Sequence, residues 1–124
     1  MKKIGCTVLA LLVLLTGCGE GSYRTVMSVA QQNSHSFSMR YELFDGEKVY
    51  TIKAGDQKVA VAVSVETQSG NLAITIAKDG EEPVYSGHHL LTTDFVVYLN
   101  EPGKYTVTLS AQDHSGSYHF DWGE

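Results

Sequence analysis

The sequence predicts an all-β domain over residues 37–124, an antiparallel β-sandwich or jelly-roll-like fold of about seven or eight strands. Three observations carry this. Beyond residue 36, apolar residues alternate with polar or small ones in run after run, the period of a strand with one buried and one wet face. Turn-forming residues interrupt these runs roughly every ten residues. No segment after the N-terminal 17 residues holds a convincing helical period.

The chain begins with a segment of different character. Lys2 and Lys3 give a positive start, and an apolar core runs from Ile4 to Leu15. A helix of that length spans roughly 20 Å, at about 1.5 Å per residue. A bilayer core is about 30 Å thick, so the segment is too short to span it and suits a helical signal peptide, residues 1–17. Residues 8–15 are apolar all round, which argues against an amphipathic helix packed on a domain.

The next residues, Leu15-Thr16-Gly17-Cys18, resemble the lipobox of bacterial lipoproteins: an aliphatic residue, a small one, glycine, then cysteine. The resemblance implies that the Cys18 thiol takes a diacylglyceryl group bearing acyl chains such as palmitate. Cleavage before Cys18 then makes it the first mature residue. The mature chain is expected to be exported and anchored by lipid to the bacterial cell membrane or outer membrane. Cys6 would leave with the leader, so the domain must rely on its core and not on disulfides.

Loss of Lys2 and Lys3 leaves 7 basic residues against 14 acidic ones, a net charge of −7. That balance argues against nucleic acid and against a charge-driven grip on anionic lipid. Membrane attachment then falls to the acyl chains, two of which give stable anchoring where one does not. Residues 18–36 read as the tether, glycine- and serine-containing at its start and with little to bury. Val26, Met27 and Val29 leave open a helical turn or a short strand on the domain edge.

The predicted strands follow in order. Phe37, Met39, Tyr41 and Leu43 share one face, with Ser38, Arg40 and Glu42 on the other. Val49–Ile52 is a shorter candidate. Val59, Val61, Val63 and Val65 alternate with Ala60, Ala62, Ser64 and Glu66, and Leu72, Ile74 and Ile76 repeat the pattern. Val84 and Tyr85 form a brief run; Phe95, Val97 and Leu99 a fuller one that turns Tyr98 outward. Tyr105, Val107 and Leu109, then Tyr118, Phe120 and Trp122, complete the inward set. Turn signals stand at Asp45-Gly46, Ala54-Gly55-Asp56, Gln68–Asn71, Asp79–Pro83, Asn100–Gly103 and Asp113–Gly116. Both prolines fall in turns, where a missing amide costs no sheet bond.

Residues 47–122 are similar to the bacterial pre-peptidase C-terminal domain. The resemblance rests on Ala54-Gly55 before an alternating strand, Asp79-Gly80 after one, and Gly103-Lys104-Tyr105 and Gly116-Ser117-Tyr118 opening two late strands. It implies an exported, non-catalytic accessory β-sandwich. The matched positions are turns and core residues, and no ligand residue carries over.

The search for chemistry finds little. There is no nucleophile elbow, no phosphate-cradling glycine loop and no His-Glu-x-x-His, and nothing calls for a cofactor. Asp79, Glu81 and Glu82 lack the alternating spacing of a calcium loop. His88 and His89 are adjacent and would point to opposite faces of an extended segment. His114 lies in a turn signal, and His119 shares the outward face of the last strand with Ser117 and Asp121. Outward Tyr98 and the Ser117, His119, Asp121 row are therefore the candidate contact face. The expected function is non-catalytic binding of an envelope protein or glycan by a lipid-anchored, monomeric module. The alternative is capture of a metal or small ligand by His88, His89, His114 and His119.

Overall fold

The computed structural model describes residues 22–122; the 1–17 leader and Cys18 lie outside them. Seven strands follow: β1 Tyr23–Val26, β2 Val29–Asn33, β3 Ser36–Ala54, β4 Val59–Lys78, β5 Pro83–Gly87, β6 Thr93–Leu99 and β7 Gly103–Asp121. All pairings are antiparallel. The fold is all-β, as its alternating runs require.

Three strands, β3, β4 and β7, are 19, 20 and 19 residues long, against about five or six for a usual strand. Each takes part in both layers of the sandwich. The first layer holds β2, the start of β3, the end of β7, the start of β4, and β6. The second holds β1, the end of β3, the start of β7, the end of β4, and β5. Phe37 and Tyr50, both on β3, stack with ring centroids 3.7 Å apart. In a straight strand their separation would be ~43 Å at about 3.3 Å per residue. The long strands are thus folded over, and their inner faces meet. Across the same gap Tyr85 of β5 stacks on Phe95 of β6 at 4.8 Å.

The bends explain a departure from the sequence reading. Asp45-Gly46, Gln68–Asn71 and Asp113–Gly116 were expected to reverse the chain, yet they lie inside continuous strands. Register shifts fall at Tyr41/Phe44, Phe44/Gly46, Thr67/Ser69 and Ser69/Asn71. Each bend inserts an unpaired residue, and the buried set changes parity across it. On β3 it passes from Phe37, Met39 and Tyr41 to Phe44, Tyr50 and Ile52; on β4 from Val61, Val63 and Val65 to Leu72, Ile74 and Ile76. Leu43, expected inside, is only half-buried, because the bulge gives its place to Phe44. Two glycines make the close approach possible. A Cβ at Gly70 (φ +80°) would strike the Asp113 carbonyl, and one at Gly116 (φ +150°) the Glu66 carbonyl.

A buried polar chain ties the three bends together. Thr67 Oγ1 donates to the Leu90 carbonyl (2.8 Å), so it accepts from His114 Nε2–H (2.8 Å). His114 Nδ1 is left to accept from the Tyr41 hydroxyl (2.8 Å). Bend residues of β3, β4 and β7 are joined to the loop before β6 by one neutral imidazole. Burial lowers the His114 pKa and raises that of Tyr41, which keeps both uncharged. Tyr118 and Tyr50 share a hydroxyl–hydroxyl bond of 2.7 Å, and burial followed by the neighbouring Tyr50 raises the Tyr118 pKa. Among the described residues no buried side-chain nitrogen or oxygen lacks a partner, as a polar group enclosed by an apolar core requires.

Residues 23–33, within the segment read as tether, carry β1 and β2. Both pair only with β3 and remain largely exposed.

Candidate functional site

The outer face of the first layer is built by register. Ser36, Asp121 and Ala62 form one row across β3, β7 and β4; Ser38, His119 and Ser64 form the next; Arg40, Ser117 and Glu66 the third. Tyr98 of β6 lies opposite Ala60 of β4, on the same face. The structure therefore brings Tyr98, Ser117, His119 and Asp121 onto one surface. Tyr98 is 55% exposed. Small neighbours on both sides leave His119 and Asp121 standing above the sheet.

A groove of about 770 Å³ opens at the end of this face away from the bends. Ala60 and Ala62 are its floor, because a methyl group is all that projects there. His119, Asp121 and Trp122 line one side, and the loop Gly55–Lys58 lines the end. Lys58 Nζ lies 5.8 Å from the Tyr98 ring centroid, linking the groove to that tyrosine. His119 Nε2 stands 3.9 Å from Asp121 Oδ2, both exposed. A second depression of about 390 Å³ continues past His119 along Ser38, Arg40 and Val29.

Trp122 is a residue that sequence reasoning placed in the core. It is half-buried, packs its ring against Phe37 (5.7 Å) and His35 (6.5 Å), and lines the groove as well. The backbone bond from Trp122 N–H to the His35 carbonyl (3.0 Å) fixes it at the strand end. Of the loop residues, Asp56 was read only as part of a turn signal, and Gln57 and Lys58 were given no role. The loop carries β3 to β4 on the other side of β7, a pairing that local sequence does not reveal.

The row Ser117, His119, Asp121 contains the residue types of a hydrolytic triad, but the arrangement does not assemble one. Alternate residues on a strand stand ~6.6 Å apart, and Ser117 Oγ turns to Glu66 Oε1 on β4 (3.4 Å). A relay needs the serine bonded to the histidine.

The histidines of the alternative reading are not gathered. His114 is enclosed and bonded through both ring nitrogens, not set in a surface turn. His88 and His89 lie on the loop after β5, where His89 Nδ1 meets Asn71 Oδ1 at 2.9 Å. They border a depression on the second layer with Ala73 and Ser110, whereas His119 is on the first. Among the described residues no group of three or more His, Cys, Asp or Glu side chains could hold a metal ion.

No protein-family model matches the chain, and no curated protein matches it. Three solved structures similar to it are described as carbohydrate-binding modules. One, described as "CBM4 structure and function", gives a TM-score of 0.47 at 10% identity over 83% of this chain and 76% of that one. TmCBM61 in complex with beta-1,4-galactotriose gives 0.40 at 16% over 77% of this chain and 65% of that one. Carbohydrate-binding module CBM36 in complex with calcium and xylotriose gives 0.36 at 12%, over 81% and 95%.

Proposed function

We propose that the chain is a lipid-anchored cell-envelope protein, attached through Cys18, whose sandwich is a non-catalytic module that binds an envelope glycan on the outer face of its first layer. The observation that carries this reading is the groove over Ala60 and Ala62. It is open and lies on rigid strands. It sets aromatic surface at Trp122, with Tyr98 beside it, next to exposed Asp121, His119, Gln57 and Lys58. A sugar ring has an apolar face and a hydroxyl edge. An aromatic plane flanked by acceptors and donors answers both. The groove's carboxylates, Asp56 and Asp121, are exposed, unlike the water-excluded acids that glycosidic cleavage employs. That contrast supports binding without turnover.

The test is capture by insoluble cell-wall polymer of the full chain in detergent, beside Tyr98→Ala, Asp121→Asn and Trp122→Phe. Each variant is expected to lower capture by about tenfold, the effect of losing a central interface contact. Unchanged capture by all three removes this face from the function. Release of soluble sugar during the incubation, lost in Asp121→Asn, would overturn the non-catalytic reading.

A further inference from the structure

β1 and β2 run in one direction along β3, and the bend between them presents an apolar tip to solvent. Val26, Met27 and Val29 are 42%, 72% and 64% exposed. Met27 is moreover held at φ +53°, a left-handed conformation that glycine or asparagine adopts more readily. A methionine here is costly in both respects, backbone and solvent, unless its side chain has something to meet.

The position of the chain's start says what that is. Ser22 is fixed beside the bend of β3, its carbonyl accepting from Glu47 N–H (2.8 Å). From there β1 runs along β3 to Met27, which borders a shallow depression with Arg40, Tyr41 and Glu42. Four residue steps separate Cys18 from Ser22, a reach of at most ~14 Å. A lipid on Cys18 would therefore hold the bent end of the sandwich at the bilayer surface, with the glycan groove at the far end of the first layer.

We infer that the β1–β2 tip, with Val26, Met27 and Val29, seats on the lipid surface that carries the Cys18 anchor. The inference rests on the anchor reading above. Contact is apolar and not electrostatic: Glu42 and Glu66 outnumber Arg40 around the same depression, and acidic side chains are repelled by anionic headgroups. A zwitterionic bilayer is thus the fitting surface, and salt has little effect on the contact.

The test uses the full chain extracted from membranes and reconstituted into phosphatidylcholine vesicles. With Cys18 acylated, Met27→Cys supplies a single thiol for an environment-sensitive dye, and Ser86→Cys on the second layer is the control. Brominated lipid is expected to quench the dye at 27 several-fold more than at 86, and aqueous iodide the reverse. Equal quenching at both positions overturns the inference. Shielding of 27 from iodide without quenching there by brominated lipid also overturns it, since the tip would then be covered by protein. Absence of lipid mass on Cys18 defeats the anchor reading itself, a result separable from the other two. A further variant, Met27→Asn, suits the left-handed backbone and should keep the thermal midpoint in detergent. Combined with Val29→Cys, it should reduce lipid quenching at 29; unchanged quenching there removes Met27 from the contact.

Discussion

At the scale of single residues, His114 does most to couple the parts of the fold. Its neutral imidazole donates to Thr67 and accepts from Tyr41, an arrangement that a second ring proton would break. Burial lowers its pKa, so the folded chain holds this proton less readily than the unfolded one. Stability is then full above the unfolded value of about 6.5 and is lost as pH falls from there toward the folded value. The slope in that window is at most about 1.4 kcal/mol per pH unit. Thermal midpoints measured from pH 7.5 to 5 should fall accordingly, and His114→Gln should lower stability at pH 7.5 while flattening the fall. A parallel fall in that variant would locate the titration elsewhere. Gly116 is a second decisive residue. Its φ of +150° and the Glu66 carbonyl against its missing Cβ predict that Gly116→Ala costs about 2 kcal/mol or more by denaturant unfolding, through strain and lost pairing.

At the scale of elements, the bulges decide the architecture, and they also show how far the sequence could be read. Alternation identified most buried positions, among them Val61, Val63, Val65, Leu72, Ile74, Ile76, Tyr105, Val107 and Leu109; Phe44, Ala111 and His114, around the bends, escaped it. It could not tell a reversal from a bend. A hairpin and a β-bulge both call for glycine, aspartate or asparagine and both interrupt the period, so Gln68–Asn71 was open to either use. The distinction lies in long-range pairing, here β7 running beside both halves of β4. The candidate face was legible for the related reason that outward residues on alternate positions must share a side; the groove role of Trp122 was not, because it follows the end of β7, where it packs on the core and still reaches the surface. Two predictions belong here. Between the Thr67–Gly116 and Asn71–Gln112 pairs both strands advance four residues, so deleting Ser69 leaves β4 one residue short, and one of its halves must slip against β7 out of register with the inward set. Cooperative thermal unfolding should disappear. Val61→Asp should likewise prevent folding, since it buries an unpaired carboxylate. Ala62→Asp, exposed one residue along, should shift the midpoint by only a few degrees.

At the scale of the whole molecule, the groove lies at the end of the first layer away from the bends, and Ser22, the first described residue, is held beside the bend of β3. The first β3 pairings with β7 run from Ser36–Asp121, at the groove, to Tyr41–Gly116, at the bend, a distance of ~17 Å at about 3.3 Å per residue. A site so placed faces away from the surface to which Cys18 would be fixed, toward polymer lying above the bilayer. On the proposed reading attachment and recognition are separable, one carried by acyl chains and the other by strand-borne side chains. Cys18→Ala should abolish acyl labelling and, because cleavage follows modification in lipoproteins, leave the leader uncut. Metabolic labelling with an alkyl-azide palmitate and the mass of the product check both points. The same variant, solubilised in detergent, should capture cell-wall polymer as well as the parent does, since no groove residue has changed. Capture lost together with the lipid would mean that recognition depends on the anchored end, and the groove would not be the binding surface.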